Sequence, residues 1–388
     1  MNTSVGPVPV KERIAVLDVI RGFALFGVLL VNMVMINYTL TDFSVGRDAL
    51  SRPDLLVGTL DRIVAWTIQV VFQGKFYTIF AFLFGLGFYL FLNRDSENKA
   101  QNSRLFRRRI FFLLVAGLLH LIFVWWGDIL TTYALIGFVL LGFRETKLPR
   151  LRNWIIGLLF FSFIIASASQ LVVASPAASG TPSDLARNIY THGPYWEVVG
   201  YRLANEIPMM LLNTVGLLPR ILGLFLMGLY AGRSGIFQNV GSHMAFIRKA
   251  WRIGGIIGIG LSLLHLSMQL NANMTSAIIL REISTPFLSL FYVTSIMLLW
   301  QADKLTALFS SLAALGRMAF TNYLVQCIVC ALLFYGHGLG LMGNISIAYI
   351  PVLTVVIYAI QVIYSKWWLE KYAYGPAEWI WRRLTYAR

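Results

Sequence analysis

Charged residues are scarce in this sequence of 388 residues: Asp, Glu, Lys and Arg together make up 13% of it. A soluble domain usually carries about 25% charged residues. Hydrophobic residues make up 58% of the chain, and the mean hydropathy is +0.70. This balance excludes an ordinary soluble domain and indicates an integral membrane protein.

Cysteine and histidine are also rare, with two and five residues. Cys327 and Cys330 lie one helical turn apart in a single apolar run, and no second cysteine pair exists to complete a metal site. Cysteines in this setting are most often small packing residues. No two histidines have the spacing of metal ligands, so the sequence predicts no metal site.

Long apolar runs are abundant, each about 15–23 residues long, close to the ~20 residues with which a helix crosses a bilayer. We therefore predict an all-α, polytopic integral membrane protein that forms a single transmembrane helical domain over residues 1–388. No small-residue cleavage site follows the first run, so this run should remain as a span. About ten transmembrane helices are predicted, at residues 14–36, 75–93, 110–127, 129–143, 154–174, 209–231, 253–271, 284–302, 317–335 and 346–364.

The net charge of +15 comes from basic residues that recur in short loops between the apolar runs. This distribution excludes a nucleic-acid-binding patch and follows the positive-inside rule, by which Lys and Arg collect in cytoplasmic loops. Most of them lie on the side of the N-terminus, which places both termini in the cytoplasm. Residues 37–74 and 175–206 are then external loops, residues 365–388 form a cytoplasmic tail, and the amphipathic stretch 55–72 is an interfacial helix.

The first apolar run, LDVIRGFALFGVLLVNMVMI, carries Asp18, Arg21 and Asn32. A charge at membrane depth costs roughly 2.5–3.5 kcal/mol even on the lenient insertion scale, so these side chains need a reason to be there. On a helix the three residues share one face. One interpretation is an Asp18–Arg21 pair near the cytoplasmic end, with Asn32 bonded to a neighbouring helix. We favour a polar stripe that faces an internal cavity.

The run AGLLHLIFVWWGDILTTYALIG contains His120 in mid-span, followed by Asp128 and Tyr133 across a tight external turn. A buried histidine is most often a hydrogen-bonded core residue. Histidine is also the usual general base at neutral pH, and Asp128 would orient it if the chain folds back. We therefore consider His120 and Asp128 candidate catalytic residues and Tyr133 a candidate binding residue.

Four further polar residues lie within or beside apolar runs. Lys75 begins a span at its external end, where its ammonium group either snorkels to the interface or binds substrate. Arg220 follows Pro219, which frees a backbone carbonyl inside a span. Asn322 and Gln326 share a helix face at i,i+4, and they hydrogen-bond either a substrate or another helix.

Five segments follow one another along nearly the whole chain, in the order LDVIRGFALFGVLLVN, GKFYTIFAFLFGLGF, GDILTTYALIGFVLL, LGRMAFTNYLVQCIVCALLFYGHGLG and GPAEWIWRRLTY. Together they resemble the bacterial YeiB family, which is catalogued as a membrane domain of unknown function. The resemblance implies a multi-pass protein of the bacterial inner (cytoplasmic) membrane.

That family is similar to a wider group of transmembrane acyltransferases, which includes heparan-α-glucosaminide N-acetyltransferase and bacterial sugar O-acyltransferases. The likeness implies transfer of an acyl group from cytoplasmic acyl-CoA, as co-substrate, to a small or sugar-like acceptor. The sugar O-acyltransferases have Arg, ten residues and then His in the first span, whereas here Arg21 is followed by Asn32. The heparan-type enzymes place a catalytic His in the next external loop, but residues 37–74 contain none. His120 is the nearest substitute for the missing base.

The resulting hypothesis gives each candidate a role. Arg21, oriented by Asp18, holds phosphate or carboxylate oxygens, and His120 takes the proton of the acceptor. Asn32 or Asn322 stabilises the developing oxyanion. A small-molecule transporter or lipid flippase that uses the same polar cavity is the main alternative, followed by a non-catalytic membrane scaffold. Expected partners are membrane lipids and a small-molecule or glycan acceptor but no nucleic acid, and the sequence leaves a homodimer open.

Overall fold

The computed structural model describes residues 14–40, 42, 58–94, 99–173, 183–271 and 273–386. Within these ranges the chain is helical and contains no strand, which confirms the all-α prediction. There we number fifteen α-helices in chain order: α1 (Ala15–Ile36), α2 (Thr59–Thr67), α3 (Lys75–Leu92), α4 (Lys99–Phe123), α5 (Leu130–Leu140), α6 (Leu148–Val173), α7 (Ser183–His192), α8 (Tyr195–Tyr201), α9 (Ile207–Arg233), α10 (Met244–Leu270), α11 (Met274–Gln301), α12 (Thr306–Arg317), α13 (Ala319–Phe334), α14 (Ile350–Lys371) and α15 (Pro376–Tyr386).

Among the described residues, seven helical segments are long and apolar enough to cross a membrane, and an eighth forms if α12 and α13, which meet at 80°, make one broken span. The predicted spans 110–127 and 129–143 correspond to the apolar second half of α4 and to the short α5. The structure thus supports a multi-pass membrane protein. The total of ten spans and the side on which the termini lie stay predictions.

Helix α1 lies at the centre of the bundle, packed against α3, α12, α13 and α14. It approaches α12 closely because two glycines meet the partner helix's backbone. A Cβ atom at Gly22 would lie 2.0 Å from the carbonyl oxygen of Leu312, and one at Gly316 would lie 1.8 Å from that of Asp18. Since any side chain there would force the helices apart, this contact fixes the N-terminal half of α1.

Helix α3 approaches α9 in the same way. A Cβ atom at Gly85 would lie 1.8 Å from the carbonyl oxygen of Phe225, and one at Gly228 would lie 2.0 Å from that of Phe82. One face of α3 is therefore pressed against α9, while α1 and α11 pack on its other sides. The remaining face of α3 is free to line the space beside α1.

A tight turn joins α4 to α5. The carboxylate of Asp128 accepts hydrogen bonds from the amide nitrogens of Leu130 at 3.1 Å and Thr131 at 2.6 Å. These donors belong to the first turn of α5 and have no partner within that helix, so Asp128 caps it. The carboxylate thus has a structural function in addition to any chemical one.

The described part of the predicted external loop 175–206 is folded. Helices α7 and α8 are followed by a π-helical turn, Arg202–Glu206. The buried guanidinium of Arg202 donates to the carbonyl oxygen of Ile122 at 2.8 Å, and the hydroxyl of Tyr195 donates to that of Phe123 at 2.8 Å. These bonds satisfy carbonyl groups at the C-terminus of α4, which have no hydrogen-bond donor within that helix.

Tyr190 of α7 ties the same region together. Burial raises the pKa of the Tyr190 phenol well above its ordinary value, so the hydroxyl keeps its proton and donates to the carboxylate of Glu206 at 2.5 Å. The Nε atom of Arg202 lies 3.3 Å from the same hydroxyl. A hydrogen-bonded layer therefore closes the end of the bundle that is predicted to be external.

The predicted interfacial helix 55–72 corresponds, from residue 58 onward, to α2 and a π-helical turn, Ile68–Phe72. Gly74, at φ +84°, then turns the chain into α3, which favours glycine because other residues are strained there. The Asp61 carboxylate accepts hydrogen bonds from Ser346 and from the amide of Ala348, which anchors α2 to the segment before α14. The rest of the predicted loop 37–74, residues 43–57, lies outside the described residues.

Candidate functional site

One large cavity runs beside α1 through the described part of the bundle. Its volume is about 1350 Å³, and α1, α3, α9, α13, α15 and the turn between α4 and α5 contribute to its wall. The wall follows α1 from Asp18 to Met35, which is about 25 Å at 1.5 Å per residue. Because the hydrocarbon core of a bilayer is about 30 Å thick, the cavity extends across most of a membrane.

Five arginines line the end of the cavity on the predicted cytoplasmic side. We call them the arginine mouth: Arg21 of α1, Arg94 after α3, Arg109 of α4, Arg317 of α12 and Arg382 of α15. All five are half-buried. Two carboxylates, those of Asp18 and Glu378, line the same region. The excess of guanidinium groups gives this end a positive potential suited to phosphate or carboxylate oxygens.

Local contacts hold several of these guanidinium groups in place. Arg21 donates to the carboxylate of Asp18 at 2.7 Å. The guanidinium of Arg109 lies 3.8 Å from the ring centre of Trp381, whose indole N–H donates to the Arg109 carbonyl oxygen at 2.8 Å. Arg94 donates to the hydroxyl of Tyr386 at 2.9 Å. Helix α15 therefore attaches the chain's C-terminal region to the mouth, and its aromatic rings restrain the cations.

Glu378 is engaged by the helix that it faces. Its carboxylate accepts hydrogen bonds from the amide nitrogens of Phe320 at 2.7 Å and Thr321 at 3.1 Å, and from the hydroxyl of Thr321. Both amides belong to the first turn of α13, so the carboxylate caps that helix. Its negative charge is thus directed at the N-terminus of that helix.

Aromatic side chains of α3 and the turn before it line the middle of the cavity. Phe72, Phe76, Phe80, Phe84 and Phe88 stand at every fourth position, and all line the wall. We call this set the phenylalanine row. Residues four apart lie near one face of a helix, so the row follows the length of α3. The cavity is therefore apolar between its two ends.

The other end of the cavity has polar groups again. Asn32, Asp128 and Tyr133, three of the candidates taken from the sequence, line its wall with Trp125 and Trp126. The hydroxyl of Tyr133 donates to the carbonyl oxygen of Tyr77 at 2.7 Å, which joins α5 to α3. Asp18, Arg21 and Asn32 thus all line the same cavity, at opposite ends of one stripe on α1.

His120 lies immediately behind this wall. Its Nδ1 atom is 3.1 Å from a carboxylate oxygen of Asp128, and both side chains are almost fully buried. The ring of Tyr323, which does line the cavity, is 5.4 Å from the imidazole ring, centre to centre. The thiol of Cys327 lies close enough to His120 to interact with it electrostatically. Tyr323 therefore contacts the imidazole of His120 and also lines the space where a ligand would lie.

Lys75 and Arg220 lie elsewhere, in what we call the anchored cluster: Lys75, Arg220, Arg281 and Glu282. The buried ammonium of Lys75 donates to the carbonyl oxygen of Gln69 at 3.0 Å, and Arg220 forms an ion pair with Glu282. Arg281 donates to the side chain of Gln73 at 3.1 Å. None of the four lines the cavity, but Tyr77 does, and its ring centre lies 5.2 Å from the Arg220 guanidinium.

Asn322 and Gln326 are fully buried in α13 and do not line the cavity. The amide nitrogen of Asn322 donates to the carbonyl oxygen of Leu315 at 3.2 Å and to the hydroxyl of Ser365 at 3.0 Å. Asn322 thus links α12, α13 and α14. For Asn322, these contacts correspond to the alternative in which the amide bonds other helices.

Sequence reasoning missed several residues of the wall. Arg94, Arg109, Arg317 and Arg382 had counted only as basic residues of cytoplasmic loops and the tail, and Tyr323 had not been singled out. The fourfold spacing of the phenylalanine row was the one visible signal of a shared face. Among the described residues, no group of three or more His, Cys, Asp or Glu side chains is placed to hold a metal ion.

Comparisons with known proteins place the chain among similar sequences. A family model described as "Protein of unknown function (DUF418)" matches residues 231–388. The protein called "Uncharacterized protein YxaH" from Bacillus subtilis (strain 168) is 34% identical over 99% of this chain and 97% of its own. "Uncharacterized protein YeiB" from Escherichia coli (strain K12) is 28% identical, covering 96% of each chain.

A third relative, "Uncharacterized 39.9 kDa protein in amylase 3'region" from Bacillus acidopullulyticus, is 28% identical over 98% of this chain and 96% of its own. No solved structure matches the chain. The similarity to these relatives extends over nearly the full length of the chain.

Proposed function

The chain belongs to the YeiB-like family of multi-pass membrane proteins, and for this member we propose an acyl transfer from cytoplasmic acyl-CoA to a small or sugar-like acceptor. The observation that carries the proposal is that the cavity is continuous. One cavity leads from the arginine mouth to the wall in front of the His120–Asp128 pair. A donor bound at one end and an acceptor bound at the other would meet inside the same space.

The arginine mouth is the donor's binding site in this proposal. Coenzyme A carries several phosphate groups, and guanidinium groups bind phosphate oxygens through paired, charge-assisted hydrogen bonds. Arg21 is the member of the mouth that also belongs to the polar stripe of α1. The carboxylate of Asp18 lies 2.7 Å from its guanidinium and orients it. The thioester would then extend into the cavity, away from water.

The transfer step assigns one role to each polar group at the far end. The acceptor's hydroxyl or amine attacks the thioester carbonyl, and His120, oriented by Asp128, takes its proton. The bond between carbon and sulfur breaks as the new bond to oxygen or nitrogen forms, and the CoA thiolate leaves and receives a proton. Asn32 donates a hydrogen bond to the developing oxyanion.

Tyr323 acts as a gate in this scheme. Because its ring contacts the imidazole and lines the cavity, whereas His120 does not line it, the ring would have to turn aside for the imidazole to reach an acceptor. Replacing Tyr323 with Ala should therefore expose His120 to the cavity and raise the rate at which the acyl thioester is lost to water. Replacing it with Phe, which keeps the ring, should change that rate little.

The test is consumption of a labelled acyl-CoA by the purified protein in lipid nanodiscs. A His120→Gln variant should lose about 10²- to 10³-fold in rate, the usual contribution of a general base. His265→Gln is the matched control, because His265 is equally buried, lies on α10 and bonds the carbonyl oxygen of Ala277 at 2.7 Å. Equal rates in both variants, with both folded, would remove His120 from the mechanism.

A transport function is the second candidate, favoured by the length of the cavity. The space extends across most of a membrane and has polar groups at both ends, which suits passage of a small molecule or a lipid headgroup. Movement of a solute or labelled lipid through proteoliposomes that contain no CoA would support it. Such movement without thioester consumption would replace acyl transfer as the function.

A further inference from the structure

The size and lining of the cavity carry information about its ligand. At about 1350 Å³ it exceeds the range of about 300–1,000 Å³ that is usual for small-ligand sites. Its cationic groups are confined to the arginine mouth, and the phenylalanine row makes the middle apolar. A ligand that fills this space therefore needs an anionic head and a long apolar body.

The wall just beneath the mouth is open at Gly87. This residue lines the cavity on α3, and no atom lies within 4 Å of the position that a Cβ would take. It is seven residues before Arg94, about 10 Å along a helix. Phe88 of the phenylalanine row lies next to it, and Phe84 and Phe80 follow on the side away from the mouth. Gly87 thus leaves a passage between the arginines and the apolar middle.

We propose that the cavity binds a long-chain fatty acyl thioester, with its phosphates on the arginine mouth and its hydrocarbon chain passing Gly87 to lie along the phenylalanine row. The inference rests on the proposed function for the thioester and deepens it by naming the acyl class. Charge complementarity orients the ligand, because only its head is anionic. A short acyl group would leave the apolar middle unfilled.

Chain length should therefore control affinity. Each methylene buried from water favours binding by roughly fourfold, although lipid that competes for the chain lowers this factor. In zwitterionic nanodiscs, with empty nanodiscs subtracted, we expect the full-length protein to bind palmitoyl-CoA more tightly than acetyl-CoA or free CoA. Equal affinity for all three would overturn the proposal.

The Gly87→Leu variant tests the path of the chain. Its side chain would extend into the passage from a Cβ position that has no atom within 4 Å, and α3 would not be weakened, because Leu is a better helix former than Gly. We expect palmitoyl-CoA to bind about tenfold more weakly and free CoA to bind within about twofold of the unchanged protein. Unaltered palmitoyl-CoA affinity would overturn the proposal.

Gly157→Leu is the matched control. Gly157 lies on the exposed face of α6, also has no atom within 4 Å of its Cβ position, and does not line the cavity. The same side chain added there should leave both affinities unchanged. If Gly157→Leu weakens palmitoyl-CoA binding as much as Gly87→Leu does, the effect is general, and the assigned chain path is wrong.

Two further measurements, palmitoyl-CoA binding in nanodiscs of another lipid and thioester consumption, distinguish this proposal from its alternatives. If nanodiscs of phosphatidylglycerol abolish palmitoyl-CoA binding, the mouth takes a lipid phosphate, and the thioester assignment is overturned. Tight binding that depends on chain length and that Gly87→Leu removes supports the inference, whether or not the thioester is consumed. If the thioester is bound in this way but not consumed, that result counts against acyl transfer and not against the inference. Consumption of acetyl-CoA alone, without binding of palmitoyl-CoA, would leave acyl transfer standing and overturn the inference.

Discussion

The arginine mouth and the anchored cluster arise from similar sequence signals and differ in their surroundings. Both place cations within or beside apolar runs. In the anchored cluster, Arg220 pairs with Glu282, and Lys75 donates to the carbonyl oxygen of Gln69. In the mouth, five half-buried guanidinium groups face a cavity with two carboxylates, and one of those, Glu378, is directed at the N-terminus of α13.

The difference shows that an ionisable residue at membrane depth has two distinct uses. A cation whose partners come from the protein stabilises a helix contact and has little left for a ligand. A cation that faces a cavity keeps donors available for a ligand. Changes in the anchored cluster should therefore affect stability alone, whereas changes on the cavity wall should affect binding alone.

The largest expected effect is loss of the Arg220–Glu282 pair. Replacing Arg220 with Leu leaves the Glu282 carboxylate mostly buried without its cation, since its side chain is 19% exposed. We expect thermal unfolding in detergent to show a destabilisation of about 2–4 kcal/mol, with CoA affinity unchanged.

The double variant Arg220→Leu/Glu282→Leu is the control for this change. Because it removes both charges together, it should recover most of the lost stability. A single variant that binds CoA poorly while remaining fully stable would mean that Arg220 belongs to the ligand site, and the two regions would no longer be distinct.

The two asparagines give a second contrast. Asn322→Leu leaves the Leu315 carbonyl and the Ser365 hydroxyl without their shared donor, so we expect a destabilisation of about 1–3 kcal/mol. Asn32→Leu, on the cavity wall, should change stability little and slow acyl transfer instead. Thermal unfolding and thioester consumption measure the two effects. Equal destabilisation by both variants would contradict the contrast.

Arg21→Gln should weaken CoA binding about tenfold, the value of one charge-assisted hydrogen bond of about 1.4 kcal/mol. Its stability should fall by less than about 1 kcal/mol, because the side chain is 32% exposed and such pairs contribute little. Arg104→Gln removes the same charge from an exposed position on α4, outside the cavity wall. If both variants lose affinity equally, the mouth attracts CoA only through net charge.

The smallest expected difference between the arginine mouth and the anchored cluster is in their response to salt. The half-exposed mouth is screened once the Debye length falls below about 10 Å, near 0.1 M salt, so CoA affinity should fall several-fold between low and high salt. The stability difference between the unchanged protein and Arg220→Leu should stay nearly constant over the same range. A salt-dependent stability difference would show that the anchored cluster is solvated like the mouth.

Periodicity and charge were enough to predict much of the fold. Apolar runs of span length predicted an all-α membrane protein, and five ordered segments indicated its family. The polar stripe was predictable because Asp18, Arg21 and Asn32 share a helix face. Span counting was less secure, because α5 is short and α12 meets α13 at 80°, a bend that residue spacing does not reveal.

The rest of the candidate site depends on contacts between distant segments. Arg382 and Arg94 are almost three hundred residues apart in sequence, yet both line the mouth, because α15 folds back onto α4 through Trp381 and Arg109. Lys75 and Arg220 could not be separated from the cavity residues by type or spacing. Only the partners that fold around them, Gln69 and Glu282, make that distinction.

The central claim is that the stripe of α1 faces a cavity reached from the arginine mouth, and thiol accessibility at Asn32 is its most direct measurement. In a background where Cys327 and Cys330 are replaced by Ala, Asn32→Cys is exposed to a membrane-impermeant thiol reagent from the cytoplasmic face. Leu25→Cys, on the same helix but 1% exposed and away from the cavity wall, is the control. We predict labelling of Asn32→Cys that bound CoA slows, and none of Leu25→Cys. An Asn32→Cys thiol as unreactive as the control would contradict the account.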